Sequence, residues 1–163
     1  MRSAALFTLA CGLPALAQFP APNYRLDFTL KESTSGLDRG ARTFTMMVAD
    51  KGRSRIDASQ RIPYEESRSL ITKVATRNVG VTIDCQVRET EGKIRVRCDI
   101  ESSSLAAAQP ETRANGLPPV VDSLRSTVDT VAPLGKPALV AVMEDPNTKK
   151  KLEVSLVARR DEQ

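Results

Sequence analysis

The stretch "VGVTIDCQVRETEGKIRVRCDI", residues 79 to 100, restricts the fold more than any other part of the chain. Val79, Val81, Ile83, Cys85 and Val87 alternate with polar residues, and after "RETEGK" so do Ile94, Val96, Cys98 and Ile100. Period-two alternation describes a strand with one face turned to a core. A slip of one residue would turn every apolar side chain to water, so the register follows from the faces. Centring the turn on Glu91-Gly92 sets 87 against 96, 85 against 98 and 83 against 100. Cys85 and Cys98 then lie directly opposite each other on the inward face. In a two-residue hairpin they form a non-hydrogen-bonded pair, whose α-carbons approach to about 4.5 Å, within the span a disulfide accepts.

The redox compartment follows from the first residues. "MRSAALFTLACGLPALAQ" has a basic start at Arg2, an apolar run from Ala4 to Leu16, and Ala15-Leu16-Ala17 before Gln18. That is the pattern of a secretory signal peptide cleaved after Ala17. The run is shorter than the roughly 20 residues a membrane helix needs. Lipidation at Cys11 fits poorly, because Thr8 stands where a leucine is usual and the apolar run continues past the cysteine. The expected location is periplasmic or secreted, where disulfides persist. Cys11 leaves with the signal and an even pair of cysteines remains. A metal role for Cys85 and Cys98 lacks further ligands, and a redox role lacks a Cys-x-x-Cys at a helix start.

Composition removes several chemistries. The sequence holds no histidine, which excludes Ser-His-Asp and Cys-His catalysis and any His-ligated metal within this chain. The net charge is +4, but basic and acidic residues are interspersed, and with four Phe, two Tyr and no Trp there is little to stack on bases. No nucleic-acid partner, cofactor or metal is expected, and no transmembrane helix in the mature chain.

The remaining pattern is all-β. Residues 1–17 read as signal peptide, 18–22 as a Pro-rich lead, 23–158 as one β domain and 159–163 as a flexible tail. "NYRLDFTLKE" alternates, "STSGLDRGA" reads as a hairpin loop, and "RTFTMMVAD" resumes the strand pattern. "KGRSRIDAS" gives a turn and a polar edge segment, while Pro63 in "RIPYEESRS" marks a loop or an edge. "VVDSLRSTVDTVAP" is strand-like, "ALVAVMED" reads as a central strand from its near-continuous apolar run, and "KKLEVSLVAR" alternates from Leu152 to Ala158. Seven to nine strands joined by hairpin-type turns predict a single antiparallel sandwich or barrel-like domain.

Candidate sites are sparse. Between Leu105 and Pro119 runs a long connection, with Pro110, Arg113, Asn115, Gly116 and Leu117, of the kind that tends to carry function; it is the expected partner-binding loop. Glu65-Glu66 and Glu89/Glu91 are paired acids best read as solvated charge. Glu144-Asp145-Pro146-Asn147 reads as a turn rather than a calcium loop. Ser102-Ser103-Ser104 lacks a base or a nucleophile elbow. Lys149-Lys150-Lys151 reads as a charged hairpin end that discourages edge pairing.

One resemblance stands out. "RIPY" at 61–64, then "VGVTIDCQVRETEGKIRVRCDIESSSL", then "PPVVDSLRSTVDTVAPLGKPALVAVMED" resemble, in order, the C-terminal core of bacterial secretins over residues 61–145. That family shows a Pro-Tyr loop, a Val-Gly-x-x-Leu strand, a Gly-containing hairpin, a Ser-ended strand, a strand with Arg and Thr, and Gly before an apolar strand. The departures are Cys85-Gln86-Val87, where a proline usually follows the Val-Gly strand, and Met143-Glu144-Asp145 in place of Gly-Gly-Leu. The resemblance implies a secretin-like β module of the bacterial envelope and does not by itself imply a pore. The first expectation is therefore a non-catalytic exported β-domain, a structural or interaction module whose partner is an unknown envelope protein. The second is a secretin-like outer-membrane oligomer, since the sequence neither demands nor forbids self-association. The third is a carboxylate-based hydrolase, which needs two facing acids about 5 to 10 Å apart.

Overall fold

The computed structural model describes residues 22–68, 71–91, 93–106 and 119–161. Eight strands run through them: β1 (Asn23–Thr34), β2 (Leu37–Ala49), β3 (Arg53–Arg68), β4 (Ile71–Thr90), β5 (Lys93–Leu105), β6 (Val121–Ala132), β7 (Pro137–Asp145) and β8 (Lys150–Asp161). They form two antiparallel four-stranded sheets, ordered β2-β1-β8-β7 and β3-β4-β5-β6. The chain meanders β1 to β2, crosses to the second sheet through β3, and crosses back between β6 and β7. It ends with β8 beside β1. The strands thus follow one another around a flattened ring that is open at two seams, β2/β3 and β6/β7.

The alternation explains the sandwich. Tyr24, Leu26, Phe28 and Leu30 from β1 and Leu152, Val154, Leu156 and Ala158 from β8 face Val81, Ile83, Val87, Ile94, Val96 and Ile100 of the other sheet, all buried. The β4–β5 register is the expected one: Val87↔Val96, Cys85↔Cys98 and Ile83↔Ile100, turning at Glu91 with φ 52°. The bulk of the stability lies in this apolar layer, at roughly 25 cal/mol for each Å² removed from water.

Five details differ from expectation or extend it. The segment "STSGLDRGA" is mostly strand: the turn is only Ser35-Gly36, both at positive φ (51° and 79°), the conformation a tight hairpin needs. A bulge opposite Glu32/Ser33 absorbs one residue of β2. Pro63 lies within β3, tolerated because β3 is an edge strand. β7 is an edge strand too, not a central one: it pairs only with β8, and Leu139 and Val142 on its outer face are 66% and 50% exposed. Residues 159–161 continue β8 and pair with Asn23–Arg25.

β3 and β4 are the longest strands, and β4 outruns its neighbour. Its last pair with β5 is Val81↔Ser102, whereas its ladder with β3 continues to Arg68↔Ile71. A two-stranded arm therefore projects beyond the sandwich. At its root Gly80 has φ 149°, and a Cβ there would lie 2.4 Å from the Ala58 carbonyl oxygen and 2.6 Å from the Ser59 Cα. Only glycine allows so close an approach of the two strands. The Ser103 hydroxyl accepts the Gly80 N–H (3.1 Å) and lies 3.3 Å from the Gly80 carbonyl, replacing the ladder where β5 departs.

Candidate functional site

The two cysteines meet as the register requires. Cys85 and Cys98 are bonded, with their α-carbons 4.1 Å apart across β4 and β5, and both are buried. The expected partner loop lies mostly outside the described residues, including Pro110, Arg113, Asn115, Gly116 and Leu117; so do the signal peptide and Cys11. Leu105 ends β5 and is 41% exposed, and the neck beyond it is closed by the Ala106 N–H donating to the Val120 carbonyl at 3.0 Å.

The polar residues sort into clusters at the two ends of the sandwich. At the end near Asn23, the buried Tyr24 hydroxyl donates to Glu89 Oε2 in the opposite sheet. Burial, reinforced by the hydrogen bond to Glu89 and by the charge of that carboxylate, pushes the Tyr24 phenol up to about 12. Arg160 stands 3.9 Å from the same carboxylate, and the Glu89 N–H donates to Asp50 Oδ1 at 2.8 Å. Glu89 is thus a strut between turns rather than half of an acid pair with Glu91.

At the arm end, Lys150 departs from the expectation for a solvated lysine run. It is only 6% exposed, with Nζ 2.9 Å from Glu32 Oε1 and 2.9 Å from Ser104 Oγ, so it ties β8, β1 and β5 together. Ser102, next inward on β5, is buried, and its hydroxyl has no partner among the described residues. A signal for both was present in the sequence. Counting by twos outward from Ile100 gives Ser102 and Ser104, and from Leu152 gives Lys150. The inner faces of β5 and β8 simply turn polar at this end. Lys151 pairs instead with Glu153 on the outside (2.7 Å). Asp145 accepts from Asn147 N–H (2.9 Å) and Thr148 Oγ (2.7 Å), the turn expected there.

The outer faces carry the remaining charge. On the β3–β6 sheet, Arg53 forks onto Asp84 (2.6 and 2.8 Å) and Arg95 onto Asp129 (2.7 and 2.9 Å). The hydrogen bonds from these guanidiniums hold both carboxyls below the usual carboxylate range. On the β1–β8 sheet, burial would raise the Asp27 carboxyl. The hydrogen bonds of Thr45 and Arg25 and the charges of Arg25 and Arg159 outweigh it and lower that group. Among the described residues no cluster of His, Cys, Asp and Glu is placed to hold a metal ion, and no helix is long and apolar enough to cross a membrane.

This architecture resembles that of secretin domains. Similar solved structures include the type II secretion system secretin GspD of E. coli K12, with a TM-score of 0.64, 9% identity, and 88% of this chain covering 51% of that one. Two more are XcpQ of Pseudomonas aeruginosa (0.61, 11% identity, 90% covering 61%) and the type IV competence pilus secretin PilQ of V. cholerae (0.59, 10% identity, 90% covering 63%). At such identities the likeness is one of fold. The chain spans 64% of the Salmonella injectisome secretin InvG and 41% of the Klebsiella pneumoniae PulD chain. No family model matches the sequence, and no curated protein matches it.

Proposed function

We propose that this chain is a non-catalytic structural module of the bacterial envelope that builds a wall by pairing its sheet edges with copies of itself. The observation that carries the reading is the placement of the four edge strands. β2 and β3 lie at one seam, and β6 and β7 at the other. Each sheet has four antiparallel strands, so its two edges run in opposite directions. A copy set alongside in the same orientation therefore meets β7 with its β2, and β6 with its β3, antiparallel in both sheets at once. Long edges of this kind are templates for another chain, and such head-to-tail contacts generate rings or filaments. The fold likeness to secretins supports an envelope setting, and the signal-peptide pattern and disulfide support export to an oxidising compartment.

The test is the assembly state of exported, signal-processed protein. Sizing with light scattering and electron microscopy should show a defined multimer. Thr43→Pro, which removes an N–H from an edge strand, should reduce it at unchanged secondary structure. A chain that stays monomeric at every concentration sinks the reading. A second function, favoured by the exposed Leu105 and Val120 at the loop neck, is contact of the 107–118 connection with a separate envelope protein. Shortening that connection should then abolish co-purification of the partner while leaving the fold and the multimer intact.

A further inference from the structure

Resting on that reading, we infer that the register between copies is set by charge on the outer face of the β3–β6 sheet, through Arg125 against Asp57 and Asp129 against Arg53 of the next copy. The rows of the sheet place these residues. Arg53 shares a row with Gln86, Arg97 and Asp129, so one row begins with a cation at the β3 edge and ends with an anion at the β6 edge. Two rows away, Asp57, Thr82, Glu101 and Arg125 do the reverse. All four terminal side chains are exposed; Arg53, Asp129 and Asp57 already have partners within the chain, Asp84, Arg95 and Arg55, so a neighbouring copy would extend these ion pairs rather than meet free charges. Unshifted, a neighbouring copy matches opposite charges at both places.

Face-preserving alternatives differ by two residues, and each is worse. One shift keeps a single match, Asp129 beside Arg55, and leaves Arg125 beside Ser59. The opposite shift brings Arg125 against Arg55 and carries Asp129 past the start of β3, where its only opposite charge is Lys51 in the turn. A shift of four residues sets Asp129 against Asp57 and Arg125 against Arg61. Opposite charges on facing strands favour pairing and like charges oppose it. The companion sheet agrees with the unshifted register. Its rows end Thr43–Leu139 and Ala41–Val142, so the two exposed apolar side chains of β7 gain neighbours with small or methyl-bearing side chains rather than charges.

Charge reversal reads the inference directly. Asp57→Arg and Arg125→Asp should each lower the assembled fraction at least tenfold at matched concentration and low salt. The chain carrying both should recover most of it, and circular dichroism should report the same fold in all. Separately, Arg55→Cys with Thr127→Cys should give covalent multimers on non-reducing gels. These sites end the same row three strands apart within one chain, beyond disulfide reach, so only neighbouring copies can bond. Ser59→Cys with Thr127→Cys should not cross-link. Assembly indifferent to reversal, or cross-linking of the second pair instead of the first, overturns the register alone. A wild-type chain that remains monomeric overturns the reading beneath it.

Discussion

The two ends of the sandwich are built from the same strands by different means. Near Asn23 the inner faces of β1, β4, β5 and β8 stay apolar as far as Tyr24, Val87, Ile94 and Ala158, all buried, and turn polar only at the rim with Glu89 and Arg160. A single strut, Tyr24 to Glu89, crosses between sheets there. At the arm end the same faces carry Glu32, Ser102, Ser104 and Lys150. One end is held by area removed from water; the other is held by a buried cation with two oxygen partners and carries a buried hydroxyl with none among the described residues. The contrast shows that a period-two pattern fixes which way a side chain points, while its chemistry decides whether that direction is a core. Where the chemistry changes, β4 leaves β5 and continues with β3 alone.

That contrast can be broken or sharpened, starting with the largest expected effect. Replacing both cysteines by Ala removes the cross-link nearer the apolar end; the chain-entropy model gives a loss of about 3 kcal/mol for a loop of this size, measurable as a lower denaturant midpoint. Intact mass of the oxidised protein, short of the reduced value by a pair of hydrogens, checks the bond itself. Lys150→Ala should cost about 2 kcal/mol, because it removes the buried aliphatic stem together with the bonds to Glu32 and Ser104, although Glu32 keeps Arg42 at 3.3 Å. Lys150→Met should cost clearly less by the same measurement, because it keeps the packing of the aliphatic stem. Equal losses from the two would mean that the stem contributes nothing and that the ammonium and its partners account for the whole effect.

Tyr24→Phe should cost about 1 to 2 kcal/mol near neutral pH through the lost bond to a carboxylate. It also has a pH signature. The phenol is raised to about 12 in the fold against about 10 when unfolded. The stability it lends is complete below pH 10 and disappears as the pH climbs from there through 12. Denaturant titrations across that window should fall more steeply for wild type than for Tyr24→Phe. Ser102→Ala is the smallest effect and has the opposite sign: deleting an unpartnered buried hydroxyl should leave stability unchanged or raise it by up to about 1 kcal/mol. A loss of more than that would mean that the hydroxyl is satisfied in solution.

How much of this could be read from the chain depended on whether a strand advertised its two faces differently. The β4–β5 hairpin did, so its register and the apposition of Cys85 and Cys98 followed from counting. β7 did not. "ALVAVMED" is apolar on both sides, and periodicity cannot separate a strand buried twice from one that shows Leu139 and Val142 to solvent beside a bulge at Val140. The arm was illegible for the reverse reason: "RIPYEESRS" has no clean alternation, and its pairing is imposed by β4, not by its own pattern. Lys150 was hidden by its neighbours, because three lysines in a row read as a solvated turn unless the β8 alternation is extended one step back. The edge placement of β2, β3, β6 and β7 needed the topology itself, which no local pattern states.

The return of β8 to the side of β1 has a further consequence. Asn23 and Asp161 are facing residues of one ladder, so a short linker could join them without crossing the molecule. The order in which the strands are synthesised is then arbitrary as far as the finished sandwich is concerned. A circular permutant opened between Glu91 and Gly92 would still have its new ends tethered by Cys85–Cys98, and should fold to the same two sheets.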